Sequence, residues 1–283
     1  MTIKVVIDSA GDIPPVVAER YGITILPVYI NIGDKGYLDG VDLGRQEFYE
    51  NLSRYPDHPK TAAPSPAAYT ELYEKLADEG ATAIISVHIA SGLSLVYNAA
   101  RLGAEAVTRV PIHLFDSGQL TLGTGLLAWL AADAAAAGHT VPEIMALLHD
   151  TYPSVRTFAT LNTLDSLRRS GRVSLAQFGL GTLLQIKPVI GIQNGKVEVV
   201  ERVRTRGKSL ARVEQMIREL APFDKLVILH SNAAADAAAL KQAVRDLIPP
   251  DCLDIEPMLI APAIGAHVGA EAVGFSGIVG GGD

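Results

Sequence analysis

The chain has 283 residues, 48% of them hydrophobic, and a formal net charge of −7 at pH 7. That length suffices for a sizeable core and two domains, and the acidic balance argues against a general nucleic-acid binder. The single cysteine, Cys252, excludes an internal disulfide or a cysteine metal cluster and fits a reducing cytoplasm.

The opening run, MTIKVVIDSAGD, is too short and is broken by Asp8, so it is not expected to be a signal peptide. Its IKVVIDS is β-branched and predicts a buried strand. PPVVAERYG follows as a helix, with proline at its start and Gly22 as its stop. ITILPVYINIG predicts a second strand. A helix over DLGRQEFYENLSRY takes Asp42 as its cap. Another over SPAAYTELYEKLADEG takes Ser65 as cap, Pro66 as first residue and Gly80 as end. TAIISVHI is a strand that leads into HIASGLSLVYNAARLGAEAV, residues 88–107. The helical period there begins near Leu93, so Ser91 and Ser94 fall at the first turn. Two readings are open: a serine cap, or an anion site in which hydroxyls join the free amides of a helix N-terminus. PIHLFDS is a further strand, followed by an alanine-rich helix around Trp129 and one from near Pro142. The most membrane-like stretch, residues 120–138, carries Asp133 and three glycines and reads as a buried helix.

Strands and helices alternating at short spacing imply a largely parallel sheet covered by helices. After about residue 152 the pattern changes. RTFATL reads as a strand and TLDSLRRSG as a short helix. IKPVIGIQNGKVEVVERV reads as two β runs joined by Asn194-Gly195, a strong hairpin signal. Helix SLARVEQMIREL, strand KLVILHS, helix ADAAALKQAVRDLI and strand LDIEPMLIA complete a second, partly antiparallel sheet. The fold class is therefore α/β in two domains, 1–152 with a mainly parallel sheet and 153–283 with a mixed one.

Several motif matches fail on context. GTGLLA at 123–128 mimics a dinucleotide fingerprint, but it does not follow directly on its strand and no strand with an acidic ribose ligand comes next. Close helix packing is the better reason for Gly123 and Gly125. GKS at 207–209 lacks the first glycine of a phosphate loop, whose place Arg202 takes. No G-x-S-x-G is present. The seven histidines show no paired spacing, so neither a metal site nor a cofactor is expected.

Six stretches, in order from Asp8 to about Gly274, carry a resemblance. IDSAGDIP resembles D-S-x-x-D-L/I-P, KTAAPSP resembles T-S-Q-P-S-P, and ASGLSLVYNAA resembles S-S-G-L-S-G-T-Y-x-x-A. LRRSGRVS with LLQIKPVIGIQNGKV resembles L-x-x-G-G-R-I/V-S followed by L-x-I-K-P-I/V and a D-G turn. RVRTRGKSL and IGAHVGAEAVG resemble K-V-R-T and A-H-x-G-P-G-A-x-G. The chain thus resembles the DegV family of bacterial fatty-acid-binding proteins.

The resemblance implies two α/β domains with a long-chain fatty acid between them, its tail in an apolar tunnel. It implies a carboxylate held by Thr61, Ser94 and His267, with Ser91 left as the cap. It further implies a lipid-carrying, non-catalytic role: a separate ATP-dependent fatty acid kinase converts the bound carboxylate to an acyl-phosphate. Arg172 and Arg204 match the arginines of the G-G-R and V-R-T motifs and are expected to face the partner and its phosphate. The run FGLGTLLQIKPVIGI is the candidate for much of the tunnel wall. The sequence departs from the family pattern at Ala62 and Ala63, at Leu95 and Val96, and at Ala270 and Glu271, all close to the three donors. No transmembrane segment is expected; transient contact with a membrane surface stays compatible.

Taken singly, each of these residues has a bland role. Thr61 could end a loop, His267 could lie on the surface of a Gly/Ala-rich loop, and Asp8, Ser9 and Ser117 could cap helices. An alternative function is acyl or phosphoryl transfer by the chain itself, using Ser94 or Ser117 with His267. Residues 168–212 hold ten Lys/Arg against Glu198 and Glu201, in an otherwise acidic chain, which points to a negatively charged partner.

Overall fold

The computed structural model describes residues 2–173 and 186–281. Its first layer is a four-stranded, fully parallel sheet. β1 (Ile3–Asp8) lies between β2 (Thr24–Leu26) and β6 (Ala83–His88), with β7 (Ile112–Asp116) beyond β6. β6 is buried along its whole length and β1 along most of its own, which is why both read as β-branched runs without alternation. The punctuation of the helices follows the sequence. α1 (Pro15–Tyr21) starts at proline and stops at Gly22 with φ 60°. α3 (Pro66–Asp78) is capped by the Ser65 side chain, which accepts from the Ala68 amide at 3.2 Å. α6 (Val141–Thr151) opens with a capping box between Thr140 and Glu143.

Pro27 divides the expected second strand. Without an N–H it cannot continue a ladder, so β2 stays in the parallel sheet. β3 (Tyr29–Ile32) instead joins β4 (Lys35–Leu38) and β5 (Lys60–Ala62) in a small antiparallel sheet of order β4-β3-β5. This sheet is not legible in the sequence because β5 is too short to show alternation. It puts Thr61 on a strand, opposite Ile30. Asp42 does not cap α2 (Arg45–Asn51): its carboxylate accepts from the Leu38 amide at 2.8 Å, and Gly44 holds the cap position.

The second layer is a mixed six-stranded sheet of order β10-β9-β8-β13-β11-β12. Its strands are β8 (Val155–Thr160), β9 (Lys187–Gln193), β10 (Lys196–Val203), β11 (Phe223–His230), β12 (Met258–Leu259) and β13 (Val273–Val279). The β9–β10 turn has Asn194 and Gly195 both at positive φ, 50° and 68°, as a two-residue hairpin requires. α7 (Asp165–Ser170), α8 (Arg206–Leu220) and α9 (Ala234–Ala243) match expectation. The strand expected over LDIEPMLIA shrinks to the two residues of β12. The last motif folds as α10 (Pro262–Val268) and leads into β13, which lies between β8 and β11. His267 therefore sits on a helix, not in a loop.

α5 (Leu122–Ala136) joins the layers. It is buried on every side, packing on β1 and β6 with one face and on β8 and β13 with another. Its glycines allow this approach: a Cβ on Gly125 would lie 1.7 Å from the Asp12 carbonyl oxygen, and one on Gly123 2.5 Å from Thr157 Oγ1. One apolar cluster runs through both sheets, and the change from parallel to mixed pairing falls between Thr151 and Val155. Among the described residues no helix is long and apolar enough to cross a membrane.

Candidate functional site

An open parallel sheet has its crevice beyond the carboxyl ends of its strands, where the strand order reverses. Here that point lies between β1 and β6. Ala10 and Ile89, just past those two strands, line a cavity of about 570 Å³, within the usual range for small-molecule sites. Its opposite wall comes from the mixed sheet and α10, including Phe158, Ile190, Ile192 and Ile264. From the run expected to form the wall, Ile190, Gly191 and Ile192 are in place; residues 178–185 lie outside the described residues. Leu95, 74% exposed, and Leu102, 40% exposed, also line the cavity and mark its mouth.

The lining is mostly apolar, and most of its polar groups are already engaged. Thr121 donates to Asp12 at 2.6 Å, Thr157 bonds Ser276 at 2.9 Å, and His230 Nδ1 accepts from the Ala233 amide at 3.3 Å. The three residues singled out in the sequence are engaged only in part. Thr61 comes from β5, Ser94 from the loop before α4 (Val96–Glu105) and His267 from the last turn of α10, and all three line the cavity. Thr61 Oγ1 lies 2.9 Å from His267 Nε2.

α4 begins at Val96, not Leu93. Ser94 performs the cap-like role expected of Ser91, its Oγ accepting from the Val96 amide at 3.3 Å. Ser91 is exposed, and its own amide donates to the Asp116 carboxylate. Capping does not exhaust Ser94: a hydroxyl that accepts one hydrogen bond keeps its hydrogen to donate.

His267 Nδ1 is buried with no partner among the described residues. Burial first, then the neighbouring charges of Arg172 and His58, push its pKa down to about 4, so the ring is neutral at pH 7. A neutral imidazole has one N–H and one acceptor nitrogen. With Thr61 on Nε2, the other nitrogen is left facing an unmet hydrogen bond.

Arg172 is exposed, lines the cavity, and donates to the Ser170 carbonyl at 2.5 Å. Arg204, at the end of β10, is exposed and stands outside the lining. The structure thus separates the two arginines. It also breaks up the basic segment: Arg206 is paired with Asp236, Arg212 with Glu201 and Glu219, and Arg168 with Asp165. His58, which the sequence does not single out, sits near His267, with its Nε2 buried and without a partner among the described residues. Burial and then Arg169 lower its pKa. No periodicity or spacing in PDHPK could have marked it.

The departures divide as well. Ala62, Ala63, Leu95 and Val96 line the cavity, whereas Ala270 and Glu271 do not. Glu271 is exposed, and its backbone takes φ 65°, a conformation in which the family motif has glycine. Among the described residues neither Ser94 nor Ser117 is hydrogen-bonded to His267, whose only side-chain partner there is Thr61. Ser117 is buried against Thr124 and Gln119, and Ser94 accepts from Val96. A Ser86–His88–Asp8 chain does exist, at 2.8 and 3.1 Å, but all three side chains are sealed in the core, with Tyr73 on the Ser86 hydroxyl.

These features define a two-layer α/β protein built around an apolar chamber that keeps a few unspent polar groups. The chain belongs to the DegV family, whose model, described as "Uncharacterised protein, DegV family", matches residues 2–279. It is 34% identical over 286 residues to a DegV domain-containing protein of Deinococcus radiodurans, covering 98% of each chain. Among solved structures it resembles DegV of Bacillus subtilis, described as a fatty acid binding protein, with a TM-score of 0.87, 27% identity and coverage of 99% and 100% of the two chains. It also resembles a DegV lipid binding protein of Thermotoga maritima, with a TM-score of 0.88, 25% identity and 99% of each chain covered.

Proposed function

We propose that this protein binds a long-chain fatty acid between units 1–152 and 153–283 and presents its carboxylate to a separate ATP-dependent fatty acid kinase. The observation that carries the reading is that three hydrogen-bonding groups, Thr61, Ser94 and His267, from distant parts of the chain, line one mostly apolar cavity. A carboxylate leaving water needs donors in exchange. Ser94 offers its free hydrogen, Thr61 and His267 offer another between them, and the Arg172 guanidinium adds positive charge. A palmitate-sized tail contributes about 12 kcal/mol of gross burial at roughly 0.8 kcal/mol per methylene, before association and ordering costs. The family likeness to proteins described as fatty acid binding supports the same ligand.

In the kinase step a carboxylate oxygen attacks the γ-phosphorus of ATP and ADP leaves. This chain's part is to orient the carboxylate and exclude water around the tail. Arg204, exposed and clear of the cavity, suits the approach of an anionic partner, whose encounter such charges speed. A reducing cytoplasm is the expected setting, with Cys252 a buried thiol.

Solvent extraction of the purified protein, followed by mass spectrometry, is expected to yield long-chain acyl groups; stoichiometric nucleotide in their place refutes the reading. With a cognate kinase, Arg204→Glu is expected to keep its lipid and slow acyl-phosphate formation. Arg172→Glu, which places a negative charge on the cavity lining, is expected to lose lipid as well.

A further inference from the structure

We infer that Asp12, together with Arg45, is a positioning residue for the carboxylate site and acts on His267 through α10; this rests on the fatty-acid reading above. The chain that enters α10 is held residue by residue by groups from the N-terminal half, Asp12 and Tyr49 buried and Arg45 partly so. Leu259 O accepts from Arg45 Nη1 at 2.5 Å, and Ile260 O accepts from the Tyr49 hydroxyl at 3.2 Å. The Ala261 amide donates to both carboxylate oxygens of Asp12, at 3.1 and 3.2 Å. The same carboxylate takes Arg45 Nη1 at 2.7 Å and the Thr121 hydroxyl at 2.6 Å.

Two further observations show that this clamp is specified tightly. Asp12 has φ 24° and Thr121 φ 46°, backbone conformations that are costly for any residue but glycine and persist only where the surroundings over-determine them. The helix itself has no slack: a Cβ on Gly265 would lie 2.4 Å from the Tyr49 hydroxyl oxygen. At its far end α10 carries His267 to Thr61, which belongs to the same half of the chain as Asp12 and Arg45. Asp12, Arg45 and Tyr49 are all absent from the cavity lining. The clamp therefore sets where the imidazole stands without touching the ligand.

The test compares palmitate with hexadecanol, which share a tail and differ at the head. The parent protein is expected to prefer the acid. Asp12→Asn, and independently Gly265→Ala, are expected to cut palmitate affinity about tenfold and leave hexadecanol within about twofold. The His267 imidazole, followed by NMR titration, should move from about 4 toward its ordinary range as the ring loosens. Tyr49→Phe should partly rescue Gly265→Ala by removing the nearest obstructing atom. A parent with no preference for the acid overturns the carboxylate reading and this inference with it. A parent that prefers the acid, with variants that keep the preference or lose both ligands equally, overturns the positioning role alone. Should Asp12→Asn fail to fold, Gly265→Ala decides by the same criteria.

Discussion

The two ends of α10 make a natural comparison. Next to its first turn lie Asp12 and Asp39; its last turn carries His267 into the cavity. Burial acts on both ends toward neutrality. The Asp39 carboxyl is pushed up to about 7, mainly by burial, against the lowering effect of the Ser9 hydroxyl bond. His267 is pushed down to about 4 by burial and by the cations around it. The difference lies in completion. Asp12 is saturated by an amide, a guanidinium and a hydroxyl from this same chain, whereas His267 and Ser94 retain unspent hydrogen-bonding capacity. Burial thus builds a joint at one end, whereas at the other it leaves hydrogen-bonding capacity facing the cavity.

The largest expected effect breaks the joint. Arg45→Met leaves the fully buried Asp12 carboxylate without its cation, at a cost of about 3–5 kcal/mol in chemical denaturation. A loss below about 1 kcal/mol would show that the clamp does not hold the two halves together. At the receptive end the outcome reverses. Ser94→Ala, Thr61→Ala and His267→Ala are each expected to weaken fatty-acid binding by about 1.5–3 kcal/mol while denaturation midpoints change little. Their effects should not add, since in the proposed site all three serve one carboxylate. Calorimetric affinities unchanged in all three variants would remove the assignment.

The pH dependence of the lipid-free protein sharpens the contrast. A histidine held below its unfolded value of 6.5 lets the unfolded chain bind the extra proton. Its contribution is whole above pH 6.5 and drains away as pH falls toward 4. An aspartate held above its unfolded value of 3.8 works the other way: its contribution is whole below that value and is lost as pH rises through 7. The two trends oppose each other in the parent. Between pH 4 and 7, stability should therefore fall with rising pH in His267→Gln and rise with it in Asp39→Asn. Parallel profiles in the two variants would mean that the two ends do not titrate as opposites.

The smallest effect lies just beyond α10. Glu271→Gly relieves a left-handed backbone position at an exposed side chain and should stabilise the fold by about 1 kcal/mol, read as a raised midpoint with lipid content unchanged.

The sequence by itself determined what depends on near neighbours. The β-branched runs of β1 and β6, the Pro15–Gly22 and Ser65–Pro66 punctuation and the Asn194-Gly195 turn are local chemistry, and they came out as expected. So did the buried character of α5, because a helix apolar on every face has nowhere else to go. Thr61, Ser94 and His267 could be named in the sequence as motif residues, but not as neighbours. Their meeting depends on β5 pairing with β3 and on α10 reaching back about two hundred residues to Thr61. Tertiary structure alone also decided the separation of Arg172 from Arg204, the place of His58 and the partners of Asp12. Each depends on which distant groups burial brings within hydrogen-bonding range, and no local period in the chain records that.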